Sequence, residues 1–153
     1  MIAVTRVAGK LGYVPHPSPL ERRGDKGTPV KALRLVLLGE IHSAVVTTVD
    51  FDDVDGLRLD GELLDAAGFV ENEKVELYDL STGSRLSCQL RRAKHGAGEV
   101  GLCGAAALLI KPGERVSIAS FGWMKEKPAL RHEPVVVRVD DDNRLLQKKF
   151  KVD

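Results

Sequence analysis

The sequence has little of several residue types, and each shortage limits either how the core is built or which class of protein this is. Aromatic residues make up 5% of the 153 residues, so a core must be built from valine, leucine, isoleucine and alanine. The only two cysteines, Cys88 and Cys103, form no CxxC pair, which argues against a disulfide framework and suits a reducing compartment. No apolar run approaches the roughly 20 residues that span a bilayer. The N-terminus lacks the features of a signal peptide, so we expect a soluble, cytoplasmic protein with no membrane partner.

An excess of positive charge is also missing. The chain has 23 basic and 22 acidic residues, for a formal net charge of +1. Nucleic-acid-binding proteins usually carry a basic excess on one face, so we expect no nucleic-acid partner. The hydrophobic content of 43% is enough for one compact domain with a core.

Residues 1–30 differ in composition from the rest of the chain. The stretch "VPHPSPLERRGDKGTPV" is rich in proline, glycine and charge, which favours extended or mobile chain over a packed element. We predict an N-terminal extension at 1–30, docking on the domain or on a neighbouring subunit, and one domain at 31–153.

Hydrophobic patterning predicts the elements of the first half of this domain. The apolar, β-branched run "KALRLVLLGEIHSAVVTTVDF" predicts two strands meeting near Gly39. "LDGELLDAAGF" predicts a short helix with Asp60 as its N-cap and Gly68 as its left-handed C-terminal residue. "EKVELYDL" and "RLSCQLRR" alternate with period two around "STGS", which predicts a β-hairpin.

The second half continues the pattern of short strands and tight turns. "EVGLCGAAALLIKPGERVSIASFGWM" predicts a strand, a small-residue turn and a second strand, and "EPVVVRVDDDNRLLQKKFKVD" predicts one more strand before a charged end. The fold class is therefore mainly β, a small barrel or sandwich with one or two short helices.

Two segments resemble a known family. "LLDAAGFVENEKVELYDLSTGSR" and "GLCGAAALLIKPGERVSIASF" are similar to aspartate 1-decarboxylase, the pyruvoyl-dependent enzyme that makes β-alanine from L-aspartate. The similarity runs without a gap from about Leu35 to about Met124. It implies a double-psi β-barrel with short helices, assembled as a homotetramer with active sites between subunits.

The resemblance breaks at the self-cleavage point. In the family a Gly-Ser pair cleaves the backbone there, and the serine becomes the pyruvoyl group that forms a Schiff base with the substrate amine. The ungapped match puts Asp55 and Gly56 at this pair, and no serine, threonine or cysteine occurs from Asp50 to Asp60. Without a hydroxyl or thiol to attack the preceding carbonyl, self-cleavage cannot start. We therefore expect an uncut, divergent member with no pyruvoyl group and no other cofactor.

Reactive groups nevertheless occupy the positions that match the family's active site. Glu40 stands where the family has lysine and Cys103 where it has asparagine, whereas His42 and Arg85 are kept; in the family this arginine binds the substrate carboxylate. Carboxylates, an imidazole and thiols serve proton transfer and covalent chemistry. The candidate catalytic residues are His42, Asp53, Asp55, Glu40, Cys88 and Cys103. The candidate substrate-binding residues are Arg85, Tyr78, Gly104, Ala105 and Ala106.

Each assignment has a structural alternative. Asp53 and Asp55 suit an inert acidic turn as well as a site. Arg85 is as suitable for a surface salt bridge as for bidentate binding of a ligand carboxylate. His42 is as suitable for a hydrogen-bonded strand position as for a general acid or base.

The cysteines have more than one interpretation. Cys88 shares its strand face with Leu86 and Leu90, as a buried apolar residue would. Alternatively, Arg85 and His42 lower a thiol pKa and create a nucleophile. Metal binding by His42, both cysteines and a carboxylate is a further alternative, but the spacing matches no known site, and we predict no metal.

Three functions are compatible with these observations. The first is an enzyme without a pyruvoyl group that acts on a small carboxylate-bearing, amino-acid-like substrate by hydrolysis, dehydration, cyclisation or isomerisation. The residue usage is associated with high-GC bacteria and their specialised metabolism. The second is a non-catalytic ligand-binding or regulatory homologue, and the third is a true aspartate 1-decarboxylase.

Overall fold

The computed structural model describes residues 3–7, 10–14 and 32–150, with side chains described from residue 32 to residue 146. The chain divides into two compact units, Met1–Ala32 and Leu33–Asp153. In the first unit, strands β1 (Ala3–Val7) and β2 (Lys10–Val14) pair as an antiparallel hairpin. The rest of the predicted extension lies outside the described residues, and its boundary at residue 30 stays a prediction.

The second unit is mainly β, as predicted. Over residues 33–150 it has two short α-helices, α1 (Gly61–Ala67) and α2 (Glu126–Ala129), and a 3₁₀ helix at Gly104–Leu108. Its strands are β3 (Leu33–Val45), β4 (Thr48–Asp50), β5 (Gly56–Asp60), β6 (Lys74–Asp79), β7 (Arg85–Ala93), β8 (Val100–Cys103), β9 (Arg115–Lys125), β10 (Val135–Val139) and β11 (Leu145–Phe150).

These nine strands form one mixed sheet. Their order is β11-β10-β3-β9-β6-β7-β5-β8-β4. The pairs β3–β10, β4–β8 and β5–β7 are parallel, and the other neighbours are antiparallel. A mixed sheet with crossover connections and few helices is consistent with a double-psi β-barrel.

The predicted helix and hairpin are confirmed. The Asp60 carboxylate accepts a hydrogen bond from the Glu62 backbone N–H at 2.8 Å, and Gly68 ends α1 with φ 71°. Strands β6 and β7 pair antiparallel, with Tyr78 opposite Arg85. Local capping and turn chemistry determine these elements, so the sequence was sufficient to find them.

Two strand predictions were wrong. The first run does contain two strands, β3 and β4, but they do not meet near Gly39. Gly39 lies inside β3, which has register shifts between Leu37 and Gly39 and between Ile41 and Ala44. Gly39 marks a close approach, because a Cβ there would lie 2.4 Å from the carbonyl oxygen of Ala67 in α1.

The tail contains two strands, β10 and β11, where one was predicted. Asn143, with φ 57°, lies in the turn between them. Its side-chain amide donates to the carbonyl oxygens of Val45 (2.8 Å) and Gly98 (2.9 Å). Part of the segment that was predicted as a charged end is therefore a hairpin turn, and these tertiary hydrogen bonds hold it in place.

The core is aliphatic, as the shortage of aromatic residues predicts. Its largest fully buried side chains are Ile41, Leu57, Leu59, Leu63, Leu64, Leu77, Leu90, Leu102, Ile110, Ile118, Val46 and Val75. Cys88 belongs to this core. Within the described residues, no helix is long and apolar enough to cross a membrane.

Candidate functional site

Most of the candidate residues fall into two groups, and Cys88 lies in the core instead. We call Glu40, His42, Tyr78, Arg85 and Ser117 the sheet-face cluster, because they lie on four adjacent strands, β3, β9, β6 and β7. We call Asp53, Asp55, Arg58, Arg91 and Cys103 the loop cluster, because it surrounds the segment between β4 and β5.

Strand pairing puts the sheet-face cluster on one side of the sheet. Ser117 of β9 is opposite Tyr78 of β6, and Tyr78 is opposite Arg85 of β7, so the three side chains point the same way. The neighbours of Ser117 on β9, Val116 and Ile118, point into the core. The cluster is therefore on the face opposite the core, and Ser117 is a small, 3% exposed residue at its floor.

His42 projects from the irregular part of β3. Its Nδ1 lies 3.4 Å from Oε1 of Glu40 and 3.3 Å from Oγ of Ser117. Both contacts use the same ring nitrogen, which leaves Nε2 available to a ligand. The imidazole side chain is 43% exposed. This arrangement fixes the ring and suits a group that takes up or releases a proton.

Arg85 stacks on an aromatic ring. Its guanidinium carbon lies 4.4 Å from the centroid of the Tyr78 ring, a cation–π contact that holds the plane of the fork. Among the described side chains, no carboxylate forms an ion pair with Arg85, so its N–H groups are available for a ligand carboxylate.

In the loop cluster, Asp53 is held by arginine. Its Oδ1 and Oδ2 lie 3.3 and 3.0 Å from the two terminal nitrogens of Arg91, and Arg58 approaches Oδ2 at 3.6 Å. The hydrogen bonds from Arg91, followed by the backbone N–H of Val54, hold the pKa of the Asp53 carboxyl below its usual range. Asp53 is thus a fixed anion and a weak base.

Asp55 joins the loop to the 3₁₀ helix. Its Oδ1 accepts a hydrogen bond from the backbone N–H of Ala106 at 3.3 Å. Gly104 has φ 62°, and a Cβ there would lie 2.8 Å from the Cα of Asp55. The Gly104–Ala106 backbone, predicted to face a substrate, therefore contacts the chain's own loop; Ala105 is exposed beside it.

The pair at Asp55 and Gly56 does not fit the pyruvoyl group that the resemblance implies. Neither residue carries a hydroxyl or thiol from which that group could form. Gly56 has φ 148°, and a Cβ there would lie 2.8 Å from the carbonyl oxygen of Gln89. Both the backbone conformation and the space at Gly56 therefore disfavour a serine.

The prediction that Arg85 and His42 lower a thiol pKa was wrong. Burial raises the pKa of Cys88 to about 12, with smaller contributions from Asp55 and Glu76. Burial also raises the pKa of Cys103, and the opposing effects of Arg58 and Arg91 are weaker. Both thiols are therefore protonated at neutral pH, which is unfavourable for a nucleophile.

Metal coordination gains no support from the geometry. Over residues 32–146, no group of three or more histidine, cysteine, aspartate or glutamate side chains could hold a metal ion. Cys88 points into the core, whereas Cys103 lies beside Asp53 in the loop cluster.

The family resemblance predicted that all the candidates surround one pocket. Within a single chain, however, the sheet-face cluster and the loop cluster lie apart. Gln89, whose carbonyl abuts Gly56, is four residues along β7 from Arg85, a rise of about 13 Å. None of the described hydrogen bonds or ion pairs joins the two clusters. The assignment of these residues to catalysis or substrate binding stays a prediction.

Sequence reasoning missed Ser117, Arg58 and Arg91. Arg58 and Arg91 are opposite each other on the parallel strands β5 and β7, a pairing that residue spacing could not predict. A polar residue between the buried Val116 and Ile118 was the available signal for Ser117.

Comparisons with known proteins agree with the sequence resemblance. The family described as aspartate decarboxylase matches residues 32–146. The chain is similar to aspartate 1-decarboxylase of Clostridium beijerinckii, with 39% identity over 110 residues that cover 72% of this chain and 89% of that protein. It is also similar to aspartate 1-decarboxylase of Bacillus velezensis, with 37% identity over 114 residues that cover 74% and 90% of the two chains.

Proposed function

The chain belongs to the aspartate decarboxylase family, and from this premise we propose that it is a member that neither cleaves itself nor uses a pyruvoyl group. It is an acid–base enzyme acting on a small carboxylate-bearing, amino-acid-like substrate. The reaction is a hydrolysis, dehydration, cyclisation or isomerisation, each of which requires a proton to be moved.

The geometry of His42 is the observation that carries this proposal. Glu40 and Ser117 hold its Nδ1, and Nε2 is left to exchange a proton with the substrate. Arg85, on the same face, binds the substrate carboxylate through its free N–H groups.

The loop cluster has a structural role in this proposal. Asp53 and Asp55 hold the uncut loop against Arg91 and the 3₁₀ helix. Assembly as a homotetramer would let the sheet-face cluster of one copy meet the loop cluster of another, which one chain does not achieve. Two free cysteines suit the reducing cytoplasm that we propose as the location.

Intact-mass measurement tests the first part of the proposal. We expect one species near 16.7 kDa. Two fragments, one of them with a pyruvoyl N-terminus, together with β-alanine formation from L-aspartate, would overturn the proposal and favour a true decarboxylase. The double variant Asp55→Gly/Gly56→Ser is expected to stay uncut, because position 56 has no room for a side chain.

Incubation with a panel of amino acids and their simple derivatives in deuterated buffer, followed by NMR for new products and for deuterium at carbon, tests the second part. The wild type should convert or exchange at least one of them, and His42→Gln should slow that reaction by about 100-fold or more. His95→Gln, at an exposed position in the turn before β8, is the matched control and should leave the rate unchanged.

A non-catalytic ligand-binding homologue is the second candidate. It is favoured by the capture of Asp53 and Asp55 in contacts within their own chain. It predicts ligand binding with neither product formation nor deuterium exchange in the wild type, and no effect of His42→Gln beyond binding.

A further inference from the structure

Two opposite charges on the sheet face are close enough to pair and do not. Glu76 of β6 is opposite Ser87 of β7, and Tyr78 is opposite Arg85, so Glu76 and Arg85 are diagonal neighbours on one face. Diagonal positions lie about 7–8 Å apart, within reach of two long side chains. Among the described side chains, Arg85 and Glu76 nevertheless form no ion pair with each other.

Each charge is instead held by a third residue. The guanidinium of Arg85 lies over the ring of Tyr78, 4.4 Å from its centroid. Oε1 of Glu76 accepts a hydrogen bond from the hydroxyl of Ser87 at 2.8 Å. These contacts keep a cation and an anion side by side, each with hydrogen-bonding capacity left for a ligand.

A second carboxylate lies on the same side of the sheet. Ala119 of β9 is opposite both Glu40 and Glu76, so its methyl group lies between the two glutamates. Ala119 is only 1% exposed and is small, which leaves the space above it to the glutamate side chains. Two carboxylates therefore lie on the part of the face next to Arg85.

We propose that Glu76 and Arg85 together bind the head group of a free amino acid, with the ligand carboxylate on Arg85 and the ligand ammonium on Glu76. The role of Arg85 rests on the proposed function, whereas the role of Glu76 is new. Glu40 supports the ammonium side from across Ala119. An acid without an amino group would place no cation against Glu76 and would bind less tightly.

Calorimetric titration with matched ligands tests the proposal. The pairs differ only in the amino group: L-aspartate with succinate, L-alanine with propionate, and β-alanine with propionate. We expect the wild type to bind the aminated member of at least one pair about tenfold more tightly, because only that member can form a charge-assisted hydrogen bond with Glu76.

Glu76→Gln should reduce this preference to about onefold and leave the affinity for the acid without an amino group unchanged or higher. Glu71→Gln, at an exposed turn position before β6, is the control and should keep the wild-type preference. Urea denaturation of each variant verifies that the fold is intact.

Three results would overturn the inference: no preference for the aminated member in any pair, no detectable binding of any of the probes, or equal weakening of both members by Glu76→Gln. Binding is measured without turnover, so the outcome is separable from the proposed function. A chain found cleaved would refute the proposed function alone, and an uncut, proton-exchanging chain without the amino preference would refute this inference alone.

Discussion

At the scale of single residues, Asp53 is a charged group whose state depends on its arginine partners. Because Arg91 lowers its pKa in the folded chain, Asp53 stabilises the fold above its unfolded pKa of about 3.9, and this contribution is lost as the pH falls through the lower folded value. We expect Asp53→Asn to lower the urea midpoint at pH 7 by a small amount, and the difference from the wild type to shrink below about pH 4.

Asp52→Asn is the control for this measurement, because Asp52 is exposed and its side chain has no described partner. Equal midpoints for wild type and Asp53→Asn at pH 7 would show that the Arg91 pair contributes nothing to the fold.

The two thiols provide a second prediction at this scale. Burial raises the pKa of Cys88 to about 12 and also raises that of Cys103, so little thiolate exists at neutral pH. We expect a thiol reagent at pH 7.5 to label neither cysteine of the folded chain within minutes and both cysteines in guanidinium chloride. Rapid labelling of the folded chain would restore the nucleophile hypothesis.

At the scale of elements, Asp60 connects α1 to the turn before β8. Its carboxylate accepts hydrogen bonds from the backbone N–H groups of Glu62 and Gly96 at 2.8 Å and of Gly98 at 2.5 Å, and it is buried. Asp60→Ala removes a helix cap and leaves buried donors without a partner. We expect a loss of about 2–4 kcal/mol in the free energy of unfolding, measured by urea denaturation.

Asp60→Asn separates the two contributions, because its amide oxygen can still cap the helix but cannot accept all three bonds. The free energy of unfolding of Asp60→Asn should lie between those of the wild type and Asp60→Ala. If Asp60→Ala unfolds at the wild-type urea concentration, the three hydrogen bonds do not stabilise this part of the fold.

At the scale of the whole molecule, the separation of the two clusters makes assembly the decisive question. We expect light scattering on a sizing column to give a mass about four times that of the 16.7 kDa chain. Asp55→Ala should slow the reaction by releasing the loop from the 3₁₀ helix. Mixing these subunits with His42→Gln subunits should recover part of the rate, since mixed tetramers would pair an intact sheet face with an intact loop. A fully active monomer would mean that one chain holds the complete site.

Much of the fold could be predicted because its signals are local. Asp60 and Gly68 bound the helix by capping chemistry, and the period-two alternation across "STGS" indicated the hairpin of β6 and β7. Gly39 was misread as a break between strands, because the carbonyl of Ala67 that requires a glycine there comes from a distant part of the chain. The turn at Asn143 was missed for the same reason, because its hydrogen-bond partners, Val45 and Gly98, are distant in the sequence.

The sequence by itself determined the mainly β class, the aliphatic core and the family, since patterning and ungapped similarity are properties of consecutive residues. It also determined that no hydroxyl or thiol lies between Asp50 and Asp60. Only the tertiary structure decided which candidates meet. Strand pairing brings His42 to Ser117, Arg85 to Tyr78 and Arg91 to Asp53. The pKa and the availability of each group depend on its burial and on partners that are distant in the sequence. Residue spacing along the chain does not reveal those partners or that burial.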